Sequence, residues 1–377
     1  MKRCNWNRIQ ATTNSPIVGV TNRPSLRGAL CPSASGASVF AAATPRTRRW
    51  GSLGWAVLVI ALFSRPTSPL AADKLVGIHS ARVLSQSMAW VAREAGLFKK
   101  HNLDFDLVFI ASSPSVTAAM LSGEAEISLG GGEGPIRAYV QGATDFVFVG
   151  GFKNVLTHSI VGRADIKTPA DLKGKKVGIN RIGSNPHYFA VQALRRSGVD
   201  PSEVNLIQSG GSPETLAALL SGNLDAASLN PPADTQAIAR GLHYIINGPE
   251  LKLPYAATVF VTRRSIVAKR PAVLGEFLRA MAEAGKIILT DREFVYKVMG
   301  KYLRLTDRKV LDAAYNGEVK VLERNLDLHN DGLQAILDEV SRVDPRAKKV
   351  KAEDLVDRRF LDEMKSSGFF DKLWGRS

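Results

Sequence analysis

Cysteine is almost missing from this chain: 377 residues hold two, Cys4 and Cys31. Both precede residue 73, so the remainder can form neither a disulfide nor a Cys-ligated metal site, and it has no cysteine nucleophile. Acidic residues are missing from positions 1–72, which carry nine Lys or Arg. Taking those nine from 50 leaves 41 basic against 35 acidic residues, so residues 73–377 carry only +6 of the formal +15. The basicity therefore sits mostly in the leader, no nucleic-acid partner is expected, and the rest is a solvated surface compatible with an anionic small ligand. Long apolar runs are absent as well. Trp55 to Phe63 is the core of the one in the leader, too short for the roughly 20 residues that a membrane span needs. Nor is there a His/carboxylate cluster at metal-ligand spacing, a G-x-x-x-x-G-K-[ST] loop or a G-x-S-x-G elbow. These absences point to a non-enzyme with no catalytic residues, no metal and no cofactor.

What the leader does contain has the three-part layout of a secretory signal. Arg46, Arg48 and Arg49 precede the apolar core, and Leu70-Ala71-Ala72 ends it with small residues suited to cleavage. The signal core is set at about residues 46–72 of a 1–72 leader, with an uncleaved anchor as the alternative. Residues 1–45, rich in Ser, Thr, Ala and Arg, are expected to lack fixed structure. Export to a bacterial periplasm follows.

Beyond the leader one stretch occurs twice. Ser113-Pro114, Ala118-Ala119-Met120-Leu121-Ser122-Gly123 and Glu126 return ninety-nine positions later as Ser212-Pro213, Ala217-Ala218-Leu219-Leu220-Ser221-Gly222 and Asp225. Each copy follows one short apolar run and precedes another, which reads as strand, loop, helix, strand. Ser-Pro suits a helix start and Leu-Ser-Gly a helix stop. Two copies imply two similar lobes. Lys74 to Ile78 opens the first as a strand, and Lys175 to Ile179 opens the second in the same way. Alternation of short strands and helices argues for an α/β fold with largely parallel sheets, in which ligands sit beyond the carboxyl ends of the strands. Loops 79–86, 112–115 and 130–135 all occupy that edge. Residues 73–160 are assigned to lobe one, 161–254 to lobe two, and 255–377 to a return strand and a helical C-terminal extension.

Five ordered segments carry a family resemblance: Ala92 to Lys100, Leu121 to Glu126, Asp171 to Gly178, Leu220 to Asp225, and Asn230-Pro231-Pro232. Together they resemble the periplasmic solute-binding proteins of nitrate/taurine/alkanesulfonate-type ABC transporters, within the thiamine-precursor-binding superfamily, over residues 74–374. The resemblance implies a type II periplasmic binding fold, two α/β lobes closing on a ligand in the cleft between them. It also implies a permease and an ATPase in the inner membrane as partners of a monomeric receptor for a small, anionic solute such as a sulfonate, carboxylate or nitrate. Binding of a pyrimidine precursor of thiamine, a biosynthetic enzyme using His79, and a ligand-sensing adaptor are the alternatives.

Candidate ligand-binding residues lie on the loops at the cleft edge. In lobe one they are His79, Ser80, Arg82, Ser112, Ser113, Gly131, Gly132 and Glu133; in lobe two, Arg181, Ser184, Asn185, His187 and Asn230. An arginine could clamp a carboxylate or sulfonate through two hydrogen bonds. The glycine run could leave backbone N–H groups free. Ser113 and Ser184 or Asn185 could equally cap their helices, Glu133 could pair with Arg137, and His187 could pack beneath the cleft.

Overall fold

The computed structural model describes residues 71–375; the leader up to residue 70, with its apolar core and both cysteines, lies outside them. Among the described residues no helix is long and apolar enough to cross a membrane. The chain runs first through β1 (Asp73–His79), β2 (Leu103–Phe109), β3 (Ile127–Gly130) and β4 (Phe146–Val155). It then forms β5 (Ser159–Gly162), β6 (Lys176–Ile179), β7 (Asn205–Gln208), β8 (Ala226–Leu229) and β9 (His243–Ile246), and returns as β10 (Pro254–Arg263). Two five-stranded sheets result, ordered β2-β1-β3-β10-β4 and β7-β6-β8-β5-β9.

The repeated stretch supplies equivalent parts of both sheets. Helix Ser113–Ser122 joins β2 to β3, and helix Ser212–Leu220 joins β7 to β8. After the first, Gly123 takes the left-handed conformation at φ 84°, which costs glycine no side-chain clash and ends the helix. Burial on the strands follows their position. β2 alternates buried Leu103 and Phe105 with exposed Asp104 and Asp106, as an edge strand with one wet face does, whereas β3 is buried throughout.

The sheets are mixed, which corrects the expectation of largely parallel ones. Each holds a parallel trio, β2-β1-β3 or β7-β6-β8, extended by antiparallel partners. The first of these, β10 in one sheet and β5 in the other, has just crossed from the opposite lobe and so enters running the other way. The C-terminal helices pack on the first sheet. The long helix Pro271–Thr290 buries Leu274, Phe277, Leu278 and Met281 at helical spacing against Leu75, Phe105 and Phe260 of that sheet. On its other side, Leu333, Ile336, Leu337 and Val340 of helix Asn330–Ser341 join Phe148 and Tyr255 in a core that continues into the second lobe through Ile160, Val177 and Phe189.

Candidate functional site

The loops beyond the carboxyl ends of β1, β2, β6 and β8 converge with the two crossovers between the lobes. They enclose two connected chambers that share Ser80, Ala81, Val83, Asn180, Ser212 and Asn230. The inner one has a volume of about 30 Å3 and the outer one about 370 Å3.

The inner chamber is lined by polar side chains with defined partners. Gln86 Oε1 accepts from the backbone N–H groups of Ser80 and Ala81 at 3.0 and 2.8 Å, fixing the turn after β1. Ser113 Oγ accepts from Gly131 N–H at 3.2 Å. Lys153, on β4, lines the chamber with its ammonium paired to Glu318 and donating to Thr157 at 3.3 Å. Glu318 also accepts from Ser85 N–H at 2.7 Å, and Ser85 Oγ hydrogen-bonds Thr258 at 2.8 Å. The buried cation therefore has a buried counter-charge supplied from the C-terminal extension, as desolvated charges require.

Four buried polar atoms of this lining have no hydrogen-bond partner in the protein: Ser112 Oγ, His158 Nδ1, Asn180 Oδ1 and Asn185 Oδ1. Ser112 belongs to lobe one, His158 to a crossover, and the two asparagines to lobe two. Ser112 is also a non-glycine residue at φ 83° and ψ 132°, a strained conformation of the kind that clusters at functional sites. The orientation of Asn185 is set by its Nδ2, which donates to the Ala257 carbonyl at 3.0 Å, so its Oδ1 is left as an acceptor.

Burial holds three histidines neutral. It pushes His158 down to about 3, helped by the neighbouring Lys153, and His79 and His187 down to about 4, helped by Arg82 and Arg137 respectively. The unfolded chain takes up protons near the ordinary histidine value of about 6.5, whereas the folded chain does not. Their contribution to stability is thus fully present above about pH 6.5 and is lost as pH falls toward 4. Asp234, which burial raises to about 6, acts in the opposite sense, its share being lost as pH rises from about 4 to 6. The expected result is that the imidazole NMR signals of His79, His158 and His187 keep their neutral positions from pH 8 to 5. A midpoint near 6.5 for any of them would contradict its burial.

Of the candidates drawn from sequence, Ser80, Ser112, Ser113, Ser184, Asn185 and Asn230 line the inner chamber, and Arg82 lines the outer one. Ser184 Oγ does not cap its helix but donates to the Arg181 carbonyl. Gly131 and Gly132 line neither chamber, and their N–H groups are not free: Gly131 N–H donates to Ser113 Oγ and Gly132 N–H to the Ala256 carbonyl at 2.8 Å. Their lack of a side chain allows close packing instead: a Cβ on Gly131 would fall 1.9 Å from Asn185 Oδ1. The other four candidates also lie off the chambers. His79 is wedged between Trp90 and Phe109, with Nδ1 3.0 Å from the Ala81 carbonyl. Glu133 pairs with Arg137, His187 accepts from Gly183 N–H, and Arg181 is exposed.

Sequence reasoning missed Gln86, Lys153, His158, Asn180, Thr258 and Glu318. One signal existed for Asn180. Setting Val177-Gly178-Ile179-Asn180 under Val76-Gly77-Ile78-His79 puts Asn180, not Arg181, in the place equivalent to His79. Lys153 and Glu318 are 165 residues apart, and no local pattern links them. Among the described residues no three His, Cys, Asp or Glu side chains gather as a metal ion would require.

Two mixed α/β sheets with helices on their faces and a polar cleft beyond their strand ends make this a type II periplasmic binding protein fold. The NMT1/THI5 like family matches residues 86–293, and the chain belongs to that family. A Brucella abortus protein, named provisionally as a binding protein, is 24% identical over 72% of this chain and 85% of its own length. The alkanesulfonate-binding protein SsuA of Xanthomonas axonopodis pv. citri, solved with MOPS, superposes with a TM-score of 0.64 at 18% identity over 76% of this chain and 98% of its own. SsuA of Escherichia coli, an aliphatic sulphonate binding protein, gives 0.61 at 21% over 75% and 98%. The fold also carries an enzyme, the desulfurization enzyme DSZB, at a TM-score of 0.61 and 14% identity over 78% and 99% of the two chains.

Proposed function

We propose that this protein is the periplasmic solute receptor of an ABC importer, exported by its leader, which captures one small molecule between its lobes and passes it to a permease and ATPase in the inner membrane. The observation that carries this reading is the set of four unpartnered polar atoms around one chamber. Each costs about 1–3 kcal/mol if left unsatisfied, and a ligand head that meets them links both lobes and a crossover at once. Arg82, on the outer chamber, favours an anionic group such as a sulfonate or carboxylate, the charge of Lys153 being already met by Glu318. Catalysis by His79 is disfavoured, because a ring neutral down to about 4 is a weak proton acceptor at neutral pH.

Asn185 supports a second ligand reading. Its fixed acceptor asks for an N–H or O–H on the head, which an aminopyrimidine bears and a fully deprotonated oxyanion does not. Thermal unfolding of the purified protein with sulfonates, carboxylates, nitrate and aminopyrimidines separates these readings. One class is expected to raise Tm with concentration, as mass action requires. Asn185→Ala is expected to weaken that class about tenfold to hundredfold. Silence of every class at millimolar concentration would reject solute capture.

A further inference from the structure

We infer that Glu339 is a positioning residue for ligand capture. From the C-terminal extension it clamps the far end of helix Asn185–Arg196, and the clamp keeps Asn185, at the near end, in place on the inner chamber. This rests on the capture reading of the cleft, and Glu339 itself lines neither chamber.

The helix belongs to lobe two, yet one stripe of it faces the rest of the protein. Asn185, Tyr188, Gln192 and Arg195 follow at spacings of three, four and three residues, which puts them on one side. Each has a partner outside lobe two. Asn185 Nδ2 donates to the Ala257 carbonyl of β10, and Tyr188 Oη donates to the Ala335 carbonyl at 3.1 Å, with its ring 4.5 Å from that of Tyr255. Gln192 Nε2 donates to Glu339 Oε2 at 2.8 Å, and Arg195 Nη1 donates to the same oxygen. Ala335 and Glu339, one helical turn apart, face back from helix Asn330–Ser341.

The same helix sits at the hinge. The Phe189 ring lies 6.0 Å from that of His158 in the first crossover, and Arg196 Nη1 donates to the Leu251 carbonyl of the second at 3.0 Å. From Asn185 to Arg195 the helix is a stiff rod of about 15 Å, at 1.5 Å per residue. A rotation of lobe two about the crossovers moves both its ends together, so Asn185 leaves the chamber only as Gln192 and Arg195 part from Glu339. The clamp therefore favours the arrangement in which Asn185 meets the lobe-one and crossover groups, and it does so without touching the ligand.

The test measures lobe separation and ligand affinity in the full chain carrying Cys4→Ser and Cys31→Ser. Nitroxide labels at Ser122→Cys and Ser221→Cys, exposed equivalents in the two copies of the repeat, report the separation by pulsed electron paramagnetic resonance without any ligand. Glu339→Ala and Arg195→Ala are each expected to broaden the distance distribution. Each should also raise the Kd of the class found in the Tm screen, about fivefold to tenfold. The double variant should do no more than Glu339→Ala alone, because both changes remove one contact. Arg342→Ala is the control. Its Nε lies 3.3 Å from the same carboxylate but on the same side of the lobe boundary, so the distances should hold. Its Kd should stay within about twofold. Wild-type distances in both single variants overturn the clamp, whether or not a ligand is known. Broadened distances with an unchanged or tighter Kd overturn the positioning of Asn185. An equal effect of Arg342→Ala would mean that charge rather than the clamp sets the lobes, and overturns it too. If distances broaden but no class binds, the clamp stands and solute capture falls.

Discussion

Lys153→Met is expected to lower the free energy of unfolding by about 3–5 kcal/mol, because it leaves the Glu318 carboxylate buried without its cation. Both partners are almost wholly inaccessible, at 2% and 1%, so solvent cannot screen the orphaned charge. The companion variant Lys153→Met with Glu318→Gln removes both charges and keeps an oxygen to accept from Ser85 N–H, while the amide nitrogen that replaces the other oxygen can donate to Thr157 Oγ1. It should recover most of the loss, since exchanging a buried ion pair for neutral groups is often close to neutral. Urea unfolding without ligand reads both variants. A single variant that costs under about 1 kcal/mol would mean that water reaches the pair and that Glu318 does not secure the extension to the cleft.

Gly248→Ala should destabilise at the upper end of the range for overpacking, about 3 kcal/mol, and weaken ligand binding at the same time. A Cβ there would fall 1.4 Å from the His158 carbonyl oxygen and 2.7 Å from the Phe189 ring. The first obstacle is backbone, so no side-chain rotation relieves it, and the two crossovers must move apart. Gly248 N–H also donates to Ser159 Oγ at 3.2 Å, which ties the second crossover to the start of β5. Displacing His158 shifts one of the four unpartnered groups of the inner chamber. Differential scanning calorimetry with and without the ligand found by the Tm screen reads both effects. A variant with the wild-type Tm and the wild-type ligand shift would show that the crossovers do not meet as closely as this.

Local features of the chain were enough to locate much of the cleft edge. Ser112-Ser113, Ser184-Asn185 and Asn230 were legible because short apolar runs, Ser-Pro or Asn-Pro starts and glycine stops place loops at strand ends without reference to distant residues. His79 and Glu133 were drawn from the same loops, yet their side chains turn inward, to Trp90 and Phe109 and to Arg137. A loop position does not specify side-chain direction. β4 shows the limit from the other side. Phe146 to Val149 reads as a strand, but the strand continues through Gly150 and Gly151 to Val155 because β10 pairs with it, and that extension carries Lys153 to the chamber.

The two-lobed α/β fold and its internal symmetry were legible in the chain alone, since they arise from periodicity and turn chemistry within each strand-helix-strand repeat. Tertiary structure alone decided the site's character. Lys153 faces Glu318, Asn185 lies against Gly131, and Leu305 reaches the outer chamber because the crossovers and the C-terminal extension return distant residues to one place. Burial there changes what each group does: it demands a counter-charge for a lysine, keeps histidines neutral, and leaves polar atoms seeking a partner.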